Sequence, residues 1–316
     1  MSSSKSAPLP GDAARVGQHY DKHAAAESAR LEQFCPVEYA ITLRYLSRFI
    51  PEGGKVAEIG VGAGHYSEFL ARRGCSLHLA DVSKSLLHTA TERLQNAGLG
   101  SKIIGIHHAT ATDLPIASSS IDAVLLLGPL YHLLEPEERQ RAVREAARVL
   151  KLRGIIVAAG INRLTFLRDM FRSADPFSKA FFGDEMANAG RSFPKELSAG
   201  GFAARYMATG NLDPQHAPPI GYAHLTSVAE FRELLTAHFD ELALAGAESF
   251  TTAWQDLFQS KPADEAAAWL DIVETTGRMP EGVAFSDHFL FVGQKREKGG
   301  AQGGKTLRRR ETRRRG

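Results

Sequence analysis

The chain has 316 residues, 43% hydrophobic and 23% charged, with a formal net charge of +2, enough apolar material for a full core in one enlarged domain. Its two cysteines, Cys35 and Cys75, exclude a disulfide scaffold or a cysteine-rich zinc site. They suit a reducing compartment. No apolar run reaches the ~18 residues of a membrane span and the start MSSSKSAPLPG lacks a secretory apolar segment, so a cytoplasmic location without membrane contact is expected.

Residues 1–14 read as disordered and 15–294 as the folded domain. Val37, Tyr39, Ala40, Leu43, Leu46 and Phe49 mark a helix that stops before Pro51 and Gly53-Gly54. Strands and helices then alternate: strand 55–59, helix 64–73, strand 76–80, helix 84–96, strand 102–107, strand 121–127, helix 136–150 and strand 154–159. This rhythm predicts an α/β fold with a doubly wound, mostly parallel sheet. The helix from 136 has Pro136 at its start, Glu137 and Glu138 in its first turn, and Arg148 and Lys151 near its end.

The segment from Ile161 to about Leu225 carries seven of the seventeen phenylalanines: Phe166, Phe171, Phe177, Phe181, Phe182, Phe193 and Phe202. It leaves the carboxyl end of a strand, where open α/β sheets bind ligands, and is predicted to be a helical cap over the site. Completing the core is the other role open to these aromatics. Ser227 with Glu230 forms a capping-box pattern before FRELLTAHF. A second insertion, about 251–284, contains the helical ADEAAAWLDIVETTG between the strand-like FDELALAGAESF and DHFLFVGQK. Residues 295–316 hold ten Lys/Arg against two Glu, so the rest of the chain is mildly acidic. This glycine-rich end reads as a disordered tail, either simply solvated or able to hold RNA or direct the chain to a nucleus.

The most informative stretch is KVAEIGVGAGHYSEFLARRG, residues 55–74. A short strand ends in Glu58, Gly60, Gly62 and Gly64 follow at alternate positions, and a helix begins. Asp81 closes the next strand, where an acid accepts the hydroxyls of a ribose lying across the strand ends. A dinucleotide fingerprint would read G-x-G-x-x-G, whereas this loop reads E-x-G-x-G-x-G. Glu58 would repel a pyrophosphate, yet it suits the α-amino group and sulfonium of S-adenosylmethionine.

On these residues the chain resembles the class I S-adenosylmethionine-dependent methyltransferase family, firmly over residues 20–160 and loosely over 222–295. The resemblance implies a seven-stranded sheet ending in an antiparallel hairpin, with S-adenosylmethionine as cofactor and no metal. It implies that Glu58, Gly60, Gly62 and Gly64 line the methionine and ribose part, and that Asp81 takes the ribose hydroxyls; an acidic cap for the next helix competes for Asp81. In HHATATDLPIASSSIDAV, Thr110 replaces the family's usual acid, which leaves the Ala111 backbone, Thr112 or Asp113 to recognise adenine. Gly128 would touch the cofactor through its backbone, and Tyr20 would close over its methionine end or simply pack its helix. Tyr131 and His132 are candidates to orient the acceptor or remove its proton, and Tyr222 and His224 would face the acceptor pocket.

Methyl transfer from a sulfonium needs chiefly alignment, so a base is optional. For a hydroxyl, phenol or carboxyl acceptor, an imidazole with an ordinary pKa near 6.5 serves at neutral pH. Where base-amine methyltransferases carry N-P-P-Y or D-P-P-Y, this chain reads Gly128-Pro129-Leu130-Tyr131. A small, partly apolar acceptor, methylated on oxygen or nitrogen, is therefore expected. The basic tail and Arg163, Arg168, Arg172 and Arg191 keep an RNA or protein acceptor open, and a non-catalytic S-adenosylmethionine-binding protein is the further alternative.

Overall fold

The computed structural model describes residues 11–172, 202–212, 222–252 and 254–297. Helix α1 (Gly11–Gln33) is followed by α2 (Pro36–Phe49), then by β1 (Lys55–Ile59), α3 (His65–Arg72), β2 (Ser76–Asp81), α4 (Lys84–Asn96), β3 (Ile103–His108) and β4 (Ile121–Leu126). A 3-10 turn, Pro129–His132, leads into α5 (Pro136–Val149) and β5 (Leu150–Ile161). The cap region supplies α6 (Arg163–Arg172), α7 (Phe202–Thr209) and a small hairpin of β6 (Asn211–Leu212) and β7 (Ala223–His224). The chain closes with α8 (Val228–Thr236), β8 (Phe239–Gly246), α9 (Gln255–Gln259), α10 (Ala263–Gly277), α11 (Pro280–Phe285) and β9 (His288–Lys295).

The seven-stranded sheet runs β3-β2-β1-β4-β5-β9-β8. The first five strands are mutually parallel, and β9 lies antiparallel between β5 and β8. Two apolar layers cover it. Ile41, Leu46, Leu70, Leu87 and Leu94 of α2, α3 and α4 pack on one face; Val143, Ala146, Phe231 and Leu235 of α5 and α8 pack on the other. A third cluster, Ile161, Phe166, Tyr206, Leu212, Ala223 and Leu225, gives the described part of the cap its own small core. Among the described residues, no helix is long and apolar enough to cross a membrane.

Several boundaries depart from the sequence reading. Residues 11–14 are the first turn of α1 rather than disordered chain, and Asp12 there complements the helix N-terminus. Strand β5 starts at Leu150, directly after α5, because Leu150 pairs with Ile121 before the register shifts. Lys295 ends β9, its Nζ donating to the Leu150 carbonyl at 2.6 Å, while Arg296 pairs with Asp240 at 2.7 Å. The sheet thus claims the first residues of the basic segment. At Ser227 only half of the capping box forms. Its Oγ accepts from the Glu230 amide at 3.2 Å, but the Glu230 carboxylate is drawn to Arg163 and His224 at 2.9 Å each. Phe177, Phe181, Phe182, Phe193, Arg191, residues 1–10 and the segment 298–316 lie outside the described residues.

A buried ionic cluster ties both ends of the domain together. His288, at the start of β9, donates from Nδ1 to Glu248 at 2.6 Å and lies 3.7 Å from Glu38 of α2. Arg30 of α1 donates to Glu38 at 3.3 Å. Burial works against the charge of His288, but the Glu38 and Glu248 carboxylates outweigh it and hold the pKa at about 9, above the ordinary 6.5. This stabilisation is complete below pH ~6.5 and disappears as pH rises through about 9. Urea unfolding should therefore show a midpoint at pH 9.5 well below that at pH 6.5, and His288→Gln should flatten this difference. An equal alkaline loss in the variant would assign the effect to another group.

Candidate active site

The order of strands reverses between β1 and β4, and the crevice at such a switch point is where open α/β sheets place ligands. Here Gly60 sits against Pro129. A Cβ on Gly60 would lie 2.7 Å from the proline ring, and the residue adopts φ 75°, so only glycine fits. The loop is fastened to β2 by the Gly60 and Val61 amides, which donate to the Ala80 carbonyl at 2.8 and 3.1 Å. Gly62, at φ 53°, has open space where a Cβ would stand.

Asp81 lies at the floor of the crevice. Its Oδ2 accepts from the Gly62 amide at 3.1 Å and its Oδ1 from the Ser83 amide at 2.8 Å. Burial pushes its pKa up to about 6 despite these bonds. Ser83 rather than Asp81 caps α4, accepting from the Leu86 amide at 3.1 Å.

Helix α1 roofs the crevice. Gly17 packs so closely that a Cβ would come within 2.4 Å of the Val82 carbonyl oxygen. Asp21 accepts from the Ser83 hydroxyl at 2.6 Å and the Ser85 amide at 3.0 Å. The partly open cavity of about 110 Å³ is lined by Val16, Tyr20 and Glu27 of α1, with Gly60, Gly62, Asp81, Val82, Ala111, Thr112, Gly128, Tyr131 and His132.

His132 ends the 3-10 turn after β4. Its Nδ1 lies 2.9 Å from the Tyr222 carbonyl; a carbonyl only accepts, so Nδ1 carries the proton and Nε2 presents a lone pair. Nε2 is 2.9 Å from the Tyr20 hydroxyl, which donates to it. Burial pushes the His132 pKa down to about 4, not the near-neutral value expected from the sequence. Burial raises Tyr20 well above the ordinary tyrosine range, and Tyr131 likewise. The turn is braced from α5 by Arg139, whose guanidinium donates to the Leu133 and Leu134 carbonyls at 2.7 Å each.

Five expected residues stand apart from this cavity. Glu58 is buried beneath the loop and accepts from the Ser67 hydroxyl of α3. Gly64 serves helix packing, since a Cβ would lie 2.9 Å from Ala90. Asp113 is exposed on the short Thr110–Asp113 bridge; Thr112 and Ala111 occupy the cavity wall instead. Tyr222 contributes its backbone carbonyl, while its ring lies 6.0 Å from the Arg15 guanidinium carbon. His224 is held by Asn211 at 2.7 Å and Glu230 at 2.9 Å. It lines a second cavity of about 420 Å³ with Leu130, Arg139, Gly160 and Phe231. Tyr131 borders both cavities. The sequence reading named Tyr20 but missed Val82 and the other cavity-lining residues of α1. The spacing Asp12, Val16, Tyr20, Glu27, all cavity-lining, is a helical stripe that could have revealed them.

The residues present fit an adenosine-type cofactor: a carboxylate with free lone pairs, two glycines whose backbone is open to the cavity, and an apolar wall at Val82 and Leu86. Residues 57–158 match the family described as a methyltransferase domain. Over 105 residues the chain is 34% identical to the demethylmenaquinone methyltransferase of Clavibacter sepedonicus, covering 33% of this chain and 40% of that protein. Over 113 residues it is 34% identical to the ubiquinone biosynthesis O-methyltransferase of Caulobacter vibrioides, covering 35% and 42%. The chain thus spans about two fifths of the length of these curated relatives. In fold it is similar to the [4+2]-cyclase SpnF crystal structure, with a TM-score of 0.55 and 19% identity, covering 91% of this chain and 97% of that one.

Burial pushes Glu58 up to about 8, so the ligand-free protein carries it protonated at pH 7. Glu58→Gln should melt within ~2 °C of the wild type there, whereas Glu58→Ala, which strands the Ser67 hydroxyl, should cost about 1–3 kcal/mol. Above pH 8, where the buried carboxyl must ionise, the glutamine variant should be the more stable. Strong destabilisation by glutamine at pH 7 would mean the group is already ionised.

Proposed function

From a chain that carries a class I S-adenosylmethionine-dependent methyltransferase domain, we infer an enzyme that methylates a hydroxyl oxygen of a small, partly apolar molecule. The observation that carries this reading is a single cavity with a ribose-type carboxylate, Asp81, at one end and a neutral histidine, His132, at the other. When bound, S-adenosylmethionine supplies a methyl group on a sulfonium, whose carbon–sulfur bond breaks with the electron pair leaving on sulfur.

Asp81 would hold the ribose hydroxyls, the Gly60, Gly62 and Gly128 backbones the ribose and methionine portion, and Ala111 and Thr112 the base edge. Tyr20, Tyr131 and His132 are left around the reacting end. Because a sulfonium is already activated, their contribution is orientation, exclusion of water and custody of one proton. The names of the two quinone-pathway relatives support a small-molecule acceptor, and that of the Caulobacter vibrioides O-methyltransferase supports transfer to oxygen. The larger neighbouring cavity sets apolar Leu130, Phe231 and Leu234 beside Arg139, Arg144, His224 and Glu230, which supports an acceptor with both an apolar part and polar groups.

The testing experiment is calorimetry with S-adenosylmethionine, S-adenosylhomocysteine and NAD, followed by a radiolabelled-methyl screen over phenols, amines and bulk RNA. Binding of the first two ligands and label in an extractable phenol ether is the expected result; NAD binding alone, or label confined to RNA or to amines, overturns the reading. Asp81→Ala should weaken S-adenosylmethionine affinity about tenfold to hundredfold, since two hydroxyl–carboxylate bonds are lost. Unchanged affinity would remove Asp81 from the ribose role.

A further inference from the structure

We propose that Tyr20 and His132 form one proton relay, in which the Tyr20 hydroxyl is the group that takes the acceptor's proton and His132 acts through it. The inference rests on the methyl-transfer reading above and deepens it by assigning the site's basic function to an atom carried on the roof helix.

The argument is one of lone pairs. With Nδ1 committed to the Tyr222 carbonyl at 2.9 Å, His132 has one basic position, Nε2, and that position is occupied by the Tyr20 hydroxyl at 2.9 Å. A ring nitrogen offers a single in-plane lone pair, so an acceptor hydroxyl cannot share it. A phenol oxygen that has donated its proton still accepts. While α1 is docked, the path from the cavity to the basic nitrogen therefore runs through Tyr20 Oη.

Docking is not left to Tyr20 itself. Gly17 against Val82 and Asp21 on Ser83 fix the helix on either side of it. The two rings meet edge-on, with centroids 5.3 Å apart at 81°, and Tyr131 supports His132 from the other side at 4.8 Å. Both partners are neutral at rest, because burial raises the phenol and lowers the imidazole. An uncharged pair is the form that a water-poor site tolerates.

In the step itself the acceptor O–H bond breaks and its proton joins Tyr20 Oη. The original Tyr20 proton moves to His132 Nε2, and the electron pair left on the acceptor oxygen becomes its bond to the methyl carbon. The imidazolium gains its positive charge as the sulfonium loses its own, so the site carries one positive charge throughout. His132 then returns its proton through Tyr20 Oη to solvent once the methylated product has left.

The first test needs neither cofactor nor acceptor: nitrogen-15 NMR of histidine-labelled protein. The expected spectrum places the His132 proton on Nδ1, and Tyr20→Phe, which keeps the ring, shifts the Nε2 resonance. A proton on Nε2, or no shift in the variant, overturns the dyad. Kinetics follow with the phenol found in the methyl-transfer screen. Tyr20→Phe and His132→Asn, whose amide preserves donation to Tyr222, should each lower kcat about a hundredfold with smaller changes in KM. The double variant should be no slower than either single one. Wild-type turnover in Tyr20→Phe, or losses that multiply, would show that the residues act separately. Calorimetric S-adenosylmethionine affinity distinguishes this outcome from failure of the methyl-transfer reading, and near-wild-type affinity in both variants certifies their folds.

Discussion

The close approach of Gly60 to Pro129 is the constraint on which the site depends. Two loops from opposite halves of the sheet, one after β1 and one after β4, meet there without room for a single extra carbon. Because they meet, Asp81 on one half and His132 on the other face the same cavity. A side chain at position 60 would push the end that carries Asp81 away from the end that carries His132. The backbone bonds from Gly60 and Val61 to Ala80 transmit the same constraint to β2, so the carboxylate's position follows from the loop's.

Much of this was legible from residue types. The alternation of apolar strands and amphipathic helices gave a parallel sheet, and the turn glycines with Asp81 gave the crevice. What stayed hidden follows from the direction in which side chains leave the backbone. Successive strand residues point to opposite faces, and Glu58 points to α3, where Ser67 meets it, rather than into the crevice. Gly64 looks like its two predecessors in sequence, yet its missing Cβ makes room for Ala90 of α4. Asp113 carries the more conspicuous chemistry, but Thr112 carries the burial. The helical stripe of α1 was readable in principle. Its destination, across the ends of β1 and β4, required tertiary contacts 60 or more residues away, such as Asp21 with Ser83.

The fold alone does not choose the reaction. The [4+2]-cyclase SpnF shares this architecture, and function resides in the groups grafted onto the scaffold. In this chain those groups are unusual in their supply: the neutral imidazole comes from the turn after β4, its orienting carbonyl from Tyr222 beside the cap hairpin, and its phenol from α1. Three separate segments must be in place before the set exists, which links site assembly to closure of the domain.

The ionic cluster at Arg30 gives α1 a mechanical character. The helix is held near its C-terminal end by Arg30, which bonds Glu27 within the helix and Glu38 on α2, whereas its hydrogen bonds to and closest packing on the crevice loops are made by Gly17, Tyr20 and Asp21. Tyr20 is ten residues from Arg30, about 15 Å along the axis. On that arm, an outward tilt of about 15° at the Arg30 end would carry Tyr20 through about 4 Å, farther than the 2.9 Å of its hydrogen bond to His132.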